Sequence, residues 1–403
     1  MSSFNGPGSV SNGLVFAYDM NNDGKSFIGA PTTNLAAFPA VGVTWTNSGA
    51  GTFLDDDTTE PLPIISNNRY FTTPLRVVSC RTTTASSQGL HCGYAFTTVS
   101  ASTTYTMSLW FKKNRDDLGS YGPYLRQNVN NNWHGTFDYN GETNNALWPT
   151  NQWIRIKCTF TTSSNENGVY LSNYIGAYVG DKVCYTGAQI EQMSFATSLA
   201  QGTRSNTQAL LDLTNRNTIT ATSLTYNSNG TFSFNGSSNY LSLPSDVTFK
   251  TTGGHTVEHW FKLDAVEYNS LYNFIGASSI DYHSWYWTVY TGRLAIWNVS
   301  PGGWYYGSTT IQPNVWYHAV MVTNDAGTGI QFYLNGVAEG GTHASYSFNP
   351  TFSGLKIGYL GRGDSPNARY MRGSMPVTDV YNRALSANEV QQNFQALRGR
   401  YGI

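Results

Sequence analysis

Three sets of residues in this 403-residue chain have the type and spacing for chemistry. The first is Asp19-Met-Asn-Asn-Asp-Gly24, which copies the opening of a calcium loop, with Asp19, Asn21 and Asp23 as ligands. The distal glutamate that such a loop needs would fall eleven residues after Asp19, where Ala30 stands. An Asx-rich turn is therefore the favoured reading, and calcium the alternative. Asp55-Asp-Asp57 is a second acidic knot. The second set is aromatic: Trp285, Tyr286, Trp287 and Tyr290, followed by Trp297 and by Trp304, Tyr305 and Tyr306. On a strand Trp285 and Trp287 share one face while Tyr286 and Tyr290 share the other. Packing in a core or interface is the favoured reading. A platform of aromatic faces for pyranose rings is the alternative, with Trp285, Tyr286, Trp287, Trp297, Trp304 and Tyr305 as its candidates. Pro301-Gly-Gly-Trp304 reads as a loop, which makes Trp304 the ring expected to be most exposed.

The third set is the carboxylates. A glucanase of the two-carboxylate kind carries Glu-x-Asp-x-x-Glu on one strand. No glutamate here has that spacing, and no catalytic residue is assigned. The seven histidines form no H-E-x-x-H, and there is neither a G-x-S-x-G elbow nor a phosphate-binding loop. Cys80, Cys92, Cys158 and Cys184 form no C-x-x-C pair, so zinc is not expected. Buried free thiols are the favoured state. Cys80 and Cys92 flank a turn-like stretch and could face each other across a hairpin.

The elements that must carry these residues read as strands nearly throughout. Short runs of β-branched and aromatic residues alternate with Gly, Asn, Asp and Ser clusters. Tyr105, Met107, Leu109 and Phe111 share one face of a half-buried strand. Asn335-Gly336 signals a tight hairpin. One helix is expected after Ser386, whose Glu389 three residues on completes a capping box, with an apolar stripe at Val390, Phe394 and Leu397. An internal echo joins Trp110-Phe-Lys to Trp260-Phe-Lys, each followed by a second strand opening at Asn151-Gln-Trp153 or Asn314-Val-Trp316. Two β-sandwich units in tandem explain this echo. Lys and Arg total 23 against 24 Asp and Glu, and charged residues are only 12%. That balance argues against nucleic acid or an anionic membrane as a partner. No apolar run is long enough to insert in a membrane, and Met1-Ser-Ser-Phe-Asn-Gly lacks the features of a signal peptide.

Residues 209–403 resemble the laminin-G-like, concanavalin-A-like sandwich modules of tailed-phage virion proteins. The resemblance rests on Leu211-Asp-Leu-Thr-Asn215, Phe232-Ser-Phe-Asn-Gly236, His255-Thr-Val-Glu-His-Trp-Phe261, Trp316-Tyr-His-Ala-Val320, Phe332-Tyr-Leu-Asn-Gly-Val337 and Val380-Tyr-Asn-Arg-Ala-Leu-Ser386. Residues Gly187-Ala-Gln-Ile-Glu-Gln-Met-Ser-Phe-Ala-Thr197 are similar to the closing strand of carbohydrate-binding-module-like jelly rolls in phage spikes and fibres. The expected fold is all-β: two β-sandwich (jelly-roll) domains, the C-terminal one concanavalin-A-like, with one short C-terminal helix. Residues 1–12 are expected to form an arm suited to docking, and 13–30 a first strand of the C-terminal sandwich. Residues 31–205 would be a jelly roll inserted in a loop, and 206–403 the lectin-like domain. A ladder between 13–20 and 375–381 is the signature of that insertion; two consecutive domains are the simpler alternative. The resemblance implies a non-enzymatic virion protein (fibre, spike, decoration or tail appendage) on the particle's exterior. Its partners would be other virion proteins, its own copies in a trimer, and host-surface glycans. A capsid or tail cement protein without sugar affinity and a polysaccharide depolymerase are the rival readings. No cofactor is required by any of them.

Overall fold

The structure, a computed structural model, describes residues 8–22, 25–36, 46–48, 51–54, 56–65, 74–83, 90–96, 99–116, 123–127, 133–175, 178–226, 232–243, 254–266, 271–276, 286–298, 303–324, 329–344, 356–360 and 369–403. The chain divides into two compact units, residues 1–30 with 206–403, and residues 31–205. Both are β-sandwiches, and the one α-helix among the described residues is C-terminal. No described helix is long and apolar enough to cross a membrane.

The first unit packs an eight-stranded sheet on a seven-stranded one. The eight-stranded sheet runs Thr225–Tyr226, Phe232–Asn235, Arg372–Tyr381, His255–Leu263, Tyr317–Thr323, Gly329–Leu334, Val337–Ala344, with Leu14–Asp19 also on Arg372–Tyr381. The first strand pairs antiparallel with the last, Phe16 opposite Val380 and Asp19 opposite Val377. Asp212, buried, fixes that first strand: its Oδ1 accepts the Ala17 amide at 3.1 Å, and the Leu213 amide returns a bond to the Ala17 carbonyl at 2.8 Å. Strand alternation sends Phe16, Tyr18, Val257, Phe261 and Phe332 inward, against Phe274, Trp287, Leu294 and Ile296 of the other sheet. Asn335 and Gly336 both take positive φ (51° and 78°) between Leu334 and Val337, the geometry of a two-residue hairpin.

The helix, Ala387–Tyr401, lies on the outer face of the eight-stranded sheet. Ser386 and Glu389 close its capping box, and Gly402 ends it in the left-handed region. Trp260 is fully buried beneath it, stacked 5.9 Å from Phe394 and 4.6 Å from Tyr401. Polar groups share this layer. Glu258 accepts from Asn393 at 2.8 Å and lies 2.8 Å from His318, and the Val10 amide donates to Asn393 at 2.7 Å. Gln392 and Arg383 bond the carbonyls of Gly8 and Asn12, so residues 8–12, expected as a free docking arm, are bound to their own chain.

The second unit pairs two five-stranded sheets. One runs Ile154–Thr161, Thr104–Lys113, Lys182–Glu191, Val78–Thr82, Gly51–Leu54; the other Thr46–Ser48, Leu90–Phe96, Val169–Ile175, Pro123–Gln127, Trp133–Thr136. Tyr105, Met107, Leu109 and Phe111 all enter the core. The strand ending in Gln189-Ile-Glu191 carries a buried network: Glu191 accepts from Gln189, Thr197 and the Thr197 amide, and Asn34 bridges Ala188, Ala200 and Ile190. Cys80, Cys158 and Cys184 are buried, and burial pushes the Cys158 and Cys184 thiols up to about 12. The expected facing of Cys80 and Cys92 across a hairpin is corrected. Their strands, Val78–Thr82 and Leu90–Phe96, belong to different sheets and so are not hairpin partners. The Cys92 side chain lies outside the described residues.

The sequence echo is a structural one. Phe111 lies opposite Ile154 and Phe261 opposite Tyr317. In each unit an Asn with φ near 60° opens the second strand. The Asn151 amide bonds the Lys113 carbonyl at 2.7 Å, and the Asn314 amide bonds that of Leu263 at 2.7 Å. Asn tolerates this conformation and a β-branched residue does not. Replacing Asn314 with Val is expected to destabilise the first unit by about 1–2 kcal/mol, and Asn314→Gly by much less. Equal losses for both in urea melts would show that the conformation is not the cause.

Asp379 stands opposite Glu258 on the covered face. Burial, with Glu258 and Asp19 adding their charges, raises its carboxyl well above the ordinary range. Such a group stabilises the fold fully below its unfolded pKa of about 3.9, and that contribution is lost as pH rises through the folded value. Buried His255 and His259, lowered to about 4 and 3 by desolvation, act in the opposite sense, losing stability as pH falls below about 6.5. The test is therefore a difference. Between pH 4 and pH 8 the wild type should lose thermal stability relative to Asp379→Asn as pH rises; a constant gap would mean that Asp379 titrates normally.

Candidate functional site

The seven-stranded sheet of the first unit runs Thr220–Thr222, Tyr240–Ser242, Lys356–Ile357, Leu271–Gly276, Tyr286–Tyr290, Arg293–Asn298, Gly303–Thr310. Its inner face supplies Leu241, Phe274, Trp287, Val289, Leu294, Ile296 and Ile357 to the core. Alternation then sends Tyr290, Arg293, Trp297, Trp304 and Tyr306 to the outer face. Ladder pairing sets them side by side: Trp297 lies opposite Trp304, Ala295 opposite Tyr306, and Tyr290 opposite Arg293 across a turn in which Thr291 and Gly292 have φ of 49° and 76°.

The rings form one half-buried cluster. Tyr290 stacks on Trp304 at 4.3 Å, Trp297 meets Trp304 edge-on at 5.4 Å, and Tyr306 lies 6.1 Å from Trp304 and 6.3 Å from Tyr290. Thr288 and Ala295, fully buried, make its floor. The Arg293 guanidinium sits 4.9 Å from the Tyr306 ring centroid. Glu339, on the edge strand Val337–Ala344 of the eight-stranded sheet, accepts the Ser308 and Thr309 amides at 2.9 Å each, which fixes the end of Gly303–Thr310. The arrangement offers apolar ring faces beside a cation, which suits noncovalent recognition.

Of the six aromatic candidates, Trp297 and Trp304 are brought together here. Trp287 is not part of the site: it is fully buried between Phe274 and His259, because alternation assigns it to the core. Tyr305 is likewise corrected, since it packs against that same core from the inner face. Trp304 is not on a loop; it sits in the strand Gly303–Thr310. The Tyr286 backbone pairs with Trp297, while Trp285 and the Tyr286 side chain lie outside the described residues. Tyr290, Tyr306 and Arg293 join the site without having been among the candidates. Continuing the alternation from an inward Trp287 would have found Tyr290.

The calcium reading does not fit. Both Asp19 oxygens are held by Arg400, at 2.7 and 2.9 Å, and Oδ1 also accepts the Asn21 amide at 2.9 Å, the Asx turn. A guanidinium stands where a cation would be needed. Asp23 lies outside the described residues. Among the described residues no three His, Cys, Asp or Glu side chains gather as a metal site. In the second acidic knot Asp57 is likewise committed, to Thr59, Ser79 and Lys182.

Folding does bring two carboxylates together, Glu258 and Asp379, but beneath the helix. Glu258 is spent on His318 and Asn393. A second buried pair, His134 with Glu166, lies in the other unit, where Glu166 also accepts the Ser163 amide.

Residues 235–391 match the Laminin_G_3 family, described as the Concanavalin A-like lectin/glucanases superfamily. This region is less than half of the chain, and the sandwich it covers is concanavalin-A-like. No curated protein matches the chain. Among solved structures, domain 4 of AbnA, a GH43 extracellular arabinanase from Geobacillus stearothermophilus in complex with arabinotriose, is similar at 17% identity and TM-score 0.35, over 47% of this chain and 93% of that one. The botulinum neurotoxin serotype D binding domain is similar at 14% identity and TM-score 0.36, over 49% of this chain and 50% of that one. The binding domain of botulinum neurotoxin DC, in complex with rat synaptotagmin II, is similar at 13% identity and TM-score 0.37. The chain thus spans about half the length of these toxin domains.

Core and platform rings should respond differently to truncation. Trp287→Ala is expected to cost about 3–5 kcal/mol of folding stability, and Trp304→Ala about 1 kcal/mol, the worth of its ring pairs. Comparable losses in chemical denaturation would place Trp304 in the core.

Proposed function

We propose that the chain is a non-enzymatic adhesion protein whose lectin-like sandwich binds glycans through the outer face of its seven-stranded sheet. The observation that carries this reading is the ring cluster of Tyr290, Trp297, Trp304 and Tyr306. Rings in a core need no such arrangement on an outer face, and pyranose rings present apolar faces of matching size. The family match over residues 235–391 supports the same reading, since that superfamily includes lectins. The missing Glu-x-Asp-x-x-Glu pattern and the commitment of Glu258 beneath the helix favour binding over hydrolysis.

The finer setting is a tailed-phage virion, with the protein on the exterior as a fibre, spike, decoration or tail appendage. Its support is the likeness of Gly187–Thr197 and of the lectin-like segments to phage virion modules. Display as a trimer beside other virion proteins would raise the avidity of weak sugar contacts, because linked sites act at high effective concentration. A cement role is the second reading, favoured by the mutual stacking and half-burial of the rings, which also suits a protein interface.

Adsorption to host cells or to a glycan array separates the two. Trp304→Ala and Trp297→Ala should each weaken adsorption about tenfold, the effect of losing roughly 1.4 kcal/mol of stacking. Unchanged adsorption with intact melting would count against the platform and favour cement.

A further inference from the structure

We infer that the aromatic face takes an acidic saccharide, one bearing a carboxylate or a sulfate, and that Arg293 reads the charge. This rests on the glycan-platform reading and narrows it to a ligand class. Leu294 faces the core, so Arg293 projects from the outer face. Its guanidinium is held over the Tyr306 ring, 4.9 Å from the centroid, within the ring cluster. Among the described residues it makes no ion pair. Stacked in this way, a guanidinium keeps its N–H edge available, and its fork matches the two oxygens of a carboxylate or sulfate. The nearby carboxylate of Glu339 is already engaged by two backbone amides of the Gly303–Thr310 strand.

A second cation lies on the same face. Lys356 alternates outward from the core residue Ile357, and its ammonium sits 4.7 Å from the Tyr240 ring centroid. The ladders place it in one row across the sheet: Lys356 pairs with Gly276, Gly276 with Tyr286, Tyr286 with Trp297, and Trp297 with Trp304. Gly276 contributes no side chain to that row. Three strand spacings, about 14 Å, separate the strand of Lys356 from that of Arg293 and Trp297. An acidic oligosaccharide laid across the strands would meet Lys356, pass the glycine, and stack on the rings beside Arg293. The chain's net charge is −1, so the attraction is local to this face rather than a property of the whole protein.

The test uses the full chain and three probes: an oligogalacturonide, its fully methyl-esterified form with the charge removed, and a sulfated galactan oligomer. At low salt the oligogalacturonide or the sulfated oligomer should bind at least tenfold tighter than the methyl ester. Whichever of the two is preferred tells carboxylate from sulfate. Arg293→Gln should erase the preference, Arg293→Lys should keep part of it, and 0.5 M salt should reduce it. Trp304→Ala should weaken all three probes together. Equal binding of charged and neutral probes, or a preference that Arg293→Gln leaves intact, overturns the inference. If Trp304→Ala still weakens binding in that case, the platform survives without its charge selectivity. Failure of the wild type to bind any probe overturns both readings.

Discussion

A side chain on a strand can face only two ways, and this constraint organises the lectin-like unit. Once Trp287, Val289, Leu294 and Ile296 fill the space between the sheets, their neighbours have no core left to enter. Tyr290, Arg293, Trp297, Trp304 and Tyr306 are therefore forced to the outer face, where they cover Thr288 and Ala295 and lean on one another. The inside tolerates the imidazole of His259 because it stays neutral: desolvation, with His318 nearby, lowers it to about 3, and Thr378 sits 2.8 Å from its Nδ1. A charged group at that position would cost far more than its hydrogen bond returns.

The same economy of partners closes the unit on itself. Its first strand comes from residues 14–19 and its next from beyond residue 205, so something must hold the two pieces of chain together. Backbone bonds do so where they meet: Ile28 donates to Ala209 at 2.9 Å and Leu211 to Ser26 at 2.7 Å. Asp212 then caps the following turn, taking bonds from Thr214, Asn217 and the Ala17 amide. The segment Leu211-Asp-Leu-Thr-Asn215 is thus a clamp on the first strand, which gives that stretch of sequence a physical reason. In the other unit Thr32–Thr33 pairs with Thr203–Arg204, so departing and returning chains again run side by side.

Features that depend on local chemistry were legible in the sequence. The alternation of Tyr105 to Phe111, the Asn335-Gly336 turn and the Ser386/Glu389 box each state their own geometry. The Trp-Phe-Lys echo is legible for the same reason, since the Asn151 and Asn314 turns repeat a backbone conformation. What failed needed a distant partner. Asp19 reads as an Asx turn with calcium as the alternative, and only Arg400, 381 residues away, decides between them by taking its carboxylate. Trp304 reads as a loop residue after Pro301-Gly-Gly, yet the strand Arg293–Asn298 draws it into the sheet. Trp287 and Trp297 are alike in type, and only the pairing of strands decides which faces the core.

A sandwich has two outer faces, and this unit treats them oppositely. One is roofed by the helix, where Trp260 stacks on Phe394 and Tyr401 and is wholly buried. Ring packing alone would let the helix slide along the sheet, because apolar contact has little directional preference. Hydrogen bonds from Asn393 to Glu258 and to the Tyr381 hydroxyl fix its position, and Val10 bonds to both Asn393 and Tyr381, tying in the N-terminal residues. Fixing that position requires burying Glu258 and Asp379 side by side, which is costly for two charges and tolerable when Asp379 holds its proton. The carboxylates are thus consumed by architecture on the roofed face. The ring cluster and its cation, to which we assign recognition, lie on the sheet whose outer face the helix does not cover.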